Sequence, residues 1–440
     1  MKAKAFKGGV HPEGHKEVTE RLSIVESRLP EKVIIPLQQH IGAPCEPLVE
    51  VGDEVKVGQK IGDTEAFVSA PVHASVSGKV TAIEPHNHPT GARVQSVVIE
   101  SDGNDEWSEE VRPPEKSLEE MDSKEILNII REAGIVGMGG AAFPAHVKLS
   151  PPPEKMIDTL ILNGAECEPY LTADHRTMIE DPEGVVFGLK AMMKVLGVEN
   201  GIIGIEENKP DAIQTMREMA EKESGIMVVP LPTMYPQGAE KMLIDAITGR
   251  QVPSGGLPMD VGVVNQNVGT SRAIARAIRE GVPLVERPVT VTGAGINSPA
   301  NLRVRVGTLV EDILEQCNGL RDDARKLVVG GPMMGMAQYT TDIPVLKGTS
   351  GIMALTENEV SLQEINSCIS CAKCVDVCPT NLVPSFLGRA GEKELVEQAE
   401  QYHALDCIEC GCCTYVCPAS RPLTQWIKMI KAEIMARRKG

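Results

Sequence analysis

Two runs near the C-terminus decide how this chain is organised: Cys368-x2-Cys371-x2-Cys374-x3-Cys378-Pro379 and Cys407-x2-Cys410-x2-Cys413-x3-Cys417-Pro418. Such spacings let a tight loop turn three thiolates toward one iron–sulfur cubane, and the fourth cysteine of each run is expected to cross to the other cluster. Cys368, Cys371, Cys374 and Cys417 are therefore expected to hold one 4Fe–4S cluster, and Cys407, Cys410, Cys413 and Cys378 the second. Zinc ribbons and disulfides are the competing readings. Zinc sites usually show two CxxC pairs, not two four-cysteine runs each closed by proline. Cys412 fits neither triplet and reads as a bystander.

Outside these runs, composition narrows the class. A chain of 440 residues has room for about three domains. Twelve cysteines, eight of them in the runs, suit a reducing cytoplasm better than a disulfide framework. The stretch 1–10 is polar and Gly-rich, unlike a secretory signal. No apolar run approaches the roughly 18 residues of a membrane helix, so any membrane association is expected to be peripheral. A formal charge of −17 and only 3% aromatic residues argue against nucleic acid as a partner.

Working outward from the cysteines, the fold class reads as multidomain α/β and α+β. The tail, 421–440, has six basic residues and one acid, Glu433. Trp426, Ile427, Ile430 and Ile434 share a helical face, expected to pack on the cluster unit at 355–420 rather than on lipid. Residues 286–345 read as strand, helix at 309–317, then strand at 327–331. Residues 117–285 alternate strands (159–162, 202–205, 226–231) with helices (181–196, 210–221, 237–248), the pattern of a mostly parallel sheet. Ahead of them, Asp122 and Glu125 make a capping box for a helix closed by Gly134. Ligands on such sheets bind where loops leave the strand C-terminal ends. The loop Gly137-x-Gly139-Gly140-x2-Phe143-Pro144-x3-Lys148 suits that position: its glycines admit a ring or phosphate close to the backbone, and Lys148 adds charge. Residues 31–105 alternate apolar and polar between glycine turns, as short strands do. Residues 1–30 read as an irregular extension in which His11 and His15 are expected to be solvated or locally bonded rather than metal ligands.

Three of these segments resemble known families. Residues 31–105 resemble the biotinyl-lipoyl barrel-sandwich, except that the hairpin tip offers His73-Ala74-Ser75 where a carrier lysine would stand. The resemblance therefore implies a docking or structural module without a covalent cofactor. Residues 117–285 resemble the NADH-binding flavoprotein subunit of respiratory complex I. Its GxGGxxFPxxxK loop appears as Gly137 to Lys148, and its NADESEP block as Asn163-Gly164-Ala165-Glu166-Cys167-Glu168-Pro169. Its YxxGEE block appears as Tyr235 to Glu240, and its INNVET block as Asn265 to Thr270. Ala165, Ala239 and Gly269 depart from the family's acids. The resemblance implies non-covalent FMN bordered by Gly137, Gly139, Gly140, Lys148, Asn163, Tyr235, Gly238, Gln266, Asn267 and Thr270. It also implies Phe143, Glu168 and Glu240 as contacts for NAD(H). Residues 286–345 resemble the β-grasp, soluble-ligand-binding-like domain that follows in the same subunit, expected here as structural support.

The whole order of barrel-sandwich, FMN/NADH domain, β-grasp domain and ferredoxin-like double-cluster domain resembles the C-subunit family of the Rnf electron-transport complexes. That resemblance implies a peripheral subunit on the cytoplasmic side of the membrane. Its complex would be a ferredoxin:NAD oxidoreductase that moves sodium ions or protons, and its partners would be NADH, other membrane and peripheral subunits and, indirectly, ferredoxin. A microcompartment-type cobalamin reductase and a flavin-free iron–sulfur scaffold are the rival readings.

Overall fold

The structure, a computed structural model, describes residues 3–360 and 363–439; Met1, Lys2, Ser361, Leu362 and Gly440, which fall within the expected terminal and cluster segments, lie outside the described residues. Four β-sheets organise the chain. In the first module, Lys32–Pro36, Arg93–Ser101, Gly78–Asn87 and Glu54–Val55 form one antiparallel sheet, and Glu46–Pro47, Lys60–Asp63 and Val72–His73 a second. Val33, Ile35, Ile61, Val72, Val80, Val97 and Ile99 fill the space between them. The tip His73-Ala74-Ser75 is not displayed to solvent: all three residues are buried, and the Ser75 hydroxyl donates to the Val306 carbonyl at 2.5 Å. A position that carries a mobile group in other barrel-sandwiches is here a wedge.

The second module is a four-stranded parallel sheet in the order Ile226–Leu231, Asn200–Glu206, Thr159–Gly164, Val263–Asn267. Its strands are apolar runs because helices cover both faces. Pro182–Leu196 begins on the Asp181 cap and ends on Gly197, and Ser123–Glu132 carries the expected capping box on Asp122. The helix expected at 237–248 starts later, at Glu240, because residues 235–238 are taken up by a loop.

The β-grasp sheet departs from its expected limits of 286–345. It has six strands, with Gly351–Thr356 in the middle and Ile24–Glu26 from the N-terminal extension at one edge. That extension is a strap rather than an irregular entry. Val10 and Tyr235 exchange backbone hydrogen bonds, Gly9 N–H donates to the Val377 carbonyl and Tyr170 N–H to that of Gly14. His15 stacks on Tyr170 with ring centroids 4.6 Å apart.

In the cluster unit, Leu387, Ala390, Val396 and Ala399 pack against Ile427, Ile430 and Ile434 of the terminal helix Leu423–Lys439. Arg437 and Arg438 pair with Glu397 and Glu400, so part of the tail's positive charge is met within the chain. No helix among the described residues is long and apolar enough to cross a membrane.

The modules are held together through buried lysines. Lys347, 1% exposed, donates from Nζ to the carbonyls of Pro71 in the barrel-sandwich (2.6 Å) and Gly134 in the flavin domain (2.7 Å). Burial lowers its pKa from 10.5 to about 8. Between those values the unfolded chain binds more protons than the folded one, so this group makes stability rise with pH across that window. Lys347→Met leaves two buried carbonyls without a donor, at about 1–3 kcal/mol each. We expect it to lower the melting temperature and to flatten the rise between pH 8 and 10.5, which differential scanning fluorimetry over a pH series would measure.

Candidate flavin and cluster sites

In the parallel sheet, chain order runs outward from Thr159–Gly164 in one direction and then returns to add Val263–Asn267 on the other side. The crevice where an open α/β sheet takes its ligand therefore lies between these two strands, at their C-terminal ends. Asn163 and Asn267 are register partners there. The glycine loop closes over the same place. Gly137 N–H donates to the Phe143 carbonyl at 2.9 Å, and Met138 N–H to the Thr270 hydroxyl at 2.9 Å. A Cβ on Gly139 would come within 2.8 Å of the Asn267 amide, whereas one on Gly140 would meet nothing within 4 Å.

Several expected flavin residues are committed to the protein instead. Asn267 caps the helix Val268–Glu280 through Oδ1 and donates from Nδ2 to Asp174 at 2.7 Å. Thr270 is spent on Met138. Asn163 orients the Gly238 carbonyl at 2.8 Å. Lys148 pairs with Glu240, which joins one expected flavin contact to one expected nucleotide contact. Tyr235 is 1% exposed and turns its hydroxyl to the Cys410 carbonyl, 2.8 Å away, in the cluster unit. Among the expected residues, Gln266 has a buried Nε2 with no partner, and Gln237 of the 235–238 loop is wholly buried with neither amide atom satisfied. Unsatisfied buried amides of this kind, together with the open space over Gly140, fit a polar planar cofactor such as FMN.

Glu168 is placed differently from the expectation of a free nucleotide-binding carboxylate. Its oxygens accept from Met333 N (3.0 Å) and Met334 N (2.8 Å), in a loop of the β-grasp domain. Burial pushes its carboxyl up to about 7, although the two amide N–H groups favour the charged form. Two lysines that sequence reading missed hold the turn bearing Glu168. Lys16 Nζ donates to the carbonyls of Glu166, Glu168 and Leu171, and Lys209 Nζ to that of Ala165 at 2.7 Å. Only an unexplained lysine in a stretch otherwise read as irregular could have signalled the first.

Cys378, Cys407, Cys410 and Cys413 line one pocket together with Cys412, Leu382, Leu387 and Ile427. The fourth cysteine of the first run thus stands with the triplet of the second. No group of His, Cys, Asp or Glu among the described residues converges tightly enough for a single ion; a cubane holds its four thiolates around a cluster, and this all-sulfur donor set suits one. Cys368 and Cys371 are exposed, with Cys374 and Cys417 half-buried. Cys412 is fully buried and its thiol faces the Tyr235 carbonyl at 3.9 Å. Cys412→Ala is expected to retain about eight irons, the content of two cubanes, in an iron assay of purified protein; loss of four would make Cys412 a ligand.

Family models match in series along the chain: the RnfC barrel sandwich hybrid domain at 4–104, the Nuo51 FMN-binding domain at 130–276, the SLBB domain at 288–337 and the 4Fe-4S dicluster domain at 367–420. The C subunit of the proton-translocating ferredoxin:NAD(+) oxidoreductase complex of Clostridium ljungdahlii is 52% identical over 98% of this chain and 94% of its own. The C subunit of the Na(+)-translocating ferredoxin:NAD(+) oxidoreductase complex of Acetobacterium woodii is 50% identical over 100% of this chain and 99% of its own. Its counterpart in the ion-translocating oxidoreductase complex of Rhodobacter capsulatus is 41% identical over 98% and 84%. With its four modules in that order and relatives of 41 to 52% identity matched over 98% or more of it, this chain belongs to the family of C subunits of Rnf-type, ion-translocating ferredoxin:NAD(+) oxidoreductase complexes.

Proposed function

We propose that this chain is the nucleotide-facing subunit of such a complex, lying peripherally on the cytoplasmic side of the membrane against the other subunits. The observation that carries this reading is the loop 235–238. It bonds the flavin crevice through Gly238 and Asn163 at one end, and the cysteine nest through Tyr235 and Cys410 at the other. FMN, when bound, exchanges electron pairs with a nicotinamide and single electrons with the clusters. The protein's part is positional. Gly139 lets the loop approach Asn267 closely, Gly140 leaves space open to a ring, and Gln266 and Gln237 supply polar groups. The Lys148–Glu240 pair lies between the glycine loop and the helix Glu240–Thr248. Phe143, Glu168 and Glu240 are the proposed contacts for NAD(H). End-to-end likeness to C subunits favours neither a microcompartment cobalamin reductase nor a flavin-free scaffold.

Two substitutions test the reading. Gly140→Val is expected to abolish FMN retention, seen in the absorbance spectrum, while iron content is unchanged. Stoichiometric FMN in that variant would reduce the loop to a turn. Glu168→Gln is expected to keep FMN but slow its reduction by NADH roughly ten- to hundredfold, the worth of one charged hydrogen bond, with dithionite reduction unaffected. A lowered melting temperature with normal NADH reduction would instead make Glu168 solely the anchor of the 333–334 loop.

A further inference from the structure

Tyr235 stands in the expected flavin motif, yet its hydroxyl bonds across 175 positions of sequence to the backbone of the cysteine nest. The bond is wholly buried, and its surroundings are built around it. The Tyr235 backbone exchanges two hydrogen bonds of 2.8 Å with Val10 of the N-terminal strap. Its ring packs with Val10, Cys410 and Cys412, against Cys167, Met333 and Val416. The next residue of the nest, Gly411, has φ +82°, and a Cβ there would lie 2.8 Å from the Met333 carbonyl. Cys410 is therefore confined from three sides, and the phenol is the group that satisfies its carbonyl. Three residues along, Gly238 N–H meets Cys167 Sγ at 3.2 Å and its carbonyl meets Asn163. One short loop thus fixes both the flavin crevice and one ligand of one cluster.

We propose that Tyr235 is a positioning residue that tunes the cluster held by Cys378, Cys407, Cys410 and Cys413. The inference rests on the cubane reading of that nest. A carbonyl dipole beside a ligand sulfur disfavours the extra negative charge of the reduced cluster. A phenol O–H bonded to that carbonyl offsets the dipole and raises the reduction potential; hydrogen bonding and burial are among the main levers on cluster potentials. The first-run cluster, whose Cys368 and Cys371 are exposed, has no such contact with Tyr235 among the described residues.

The test uses the purified holoprotein, with iron and FMN assayed first and both clusters titrated by EPR. Tyr235→Phe is expected to keep both cofactors and to lower the potential of one cluster alone. The shift should correspond to about a fivefold change in its reduction equilibrium, roughly 40 mV at 59 mV per tenfold for one electron. Difluorotyrosine at the same position, a near-isosteric and stronger donor, is expected to shift the same cluster upward. A residue that merely filled space would not produce opposite signs. Unchanged potentials, equal shifts in both clusters, or shifts of one sign in the two proteins would overturn the proposal. If Tyr235→Phe loses iron, the fluorinated protein decides by its sign alone. A normal protein that lacks eight irons would instead defeat the cubane reading itself, a separate result.

Discussion

Lys16 places one ammonium, 8% exposed, against three backbone carbonyls of the turn that leaves the first strand of the flavin sheet. That turn cannot be regular, since Glu166 and Tyr170 both sit at positive φ, and its carbonyls point inward where water does not reach. Buried carbonyls of this kind need a donor. Without Lys16 the turn has no reason to hold Glu168 toward the β-grasp loop, or Glu166 over the start of the helix Ala173–Glu180, where its carboxylate accepts from Asp174 N and His175 N. Burial lowers the pKa of Lys16 to about 8, the cost of using a charge where a neutral donor would not reach three acceptors.

Buried cations of this sort tie the strap, the barrel, the parallel-sheet domain and the β-grasp domain together. Lys347 joins barrel to flavin domain, Lys16 joins the strap to the turn at 166–171, and Lys209, 1% exposed, joins two loops at the sheet's end. Arg287 adds a fourth cation, donating to the Lys347 carbonyl at 2.7 Å and the Met138 carbonyl at 3.3 Å. None of these is an ion-pair network of the usual surface kind. Lys16, Lys347 and Arg287 are used chiefly as multiple donors to backbone, whereas Lys209 divides its ammonium between the Ala165 carbonyl and the side chains of Glu206 and Asn208; both uses fix the relative placement of loops from distant parts of the chain.

This also explains what was legible in the sequence. Local rules were: the Asp122 capping box, the Asp181 start of the long helix and the parallel alternation follow from spacing, and the gathering of Cys378 with Cys407, Cys410 and Cys413 follows from the doubled run. Motif residues were located at the right end of the sheet but not given their bonds. Asn267, Thr270 and Lys148 turned out to serve the loops that surround the crevice, because a glycine-rich loop must be held by side chains from elsewhere. The strap was illegible. Its contacts with residues 166–171, 235 and 377 are long-range, and nothing in Gly8-Gly9 or Lys16 names a partner. The β-grasp sheet was cut short for the same reason: its central strand, Gly351–Thr356, and its edge strand, Ile24–Glu26, come from opposite ends of the chain.

The strap has a consequence for how the protein is made. Gly9 bonds to Val377, the residue before Cys378, and a Cβ on Gly8 would lie 3.0 Å from the Cys378 carbonyl. Residues 8 and 9 therefore find their seat only after the segment around Val377, more than 360 positions later, has been made, although domains generally fold as they emerge. Synthesis thus couples two segments far apart in sequence: until the residues around Val377 are in place, Gly8 and Gly9 lack that part of their seat, which adjoins the bonds that Val10 lends to Tyr235.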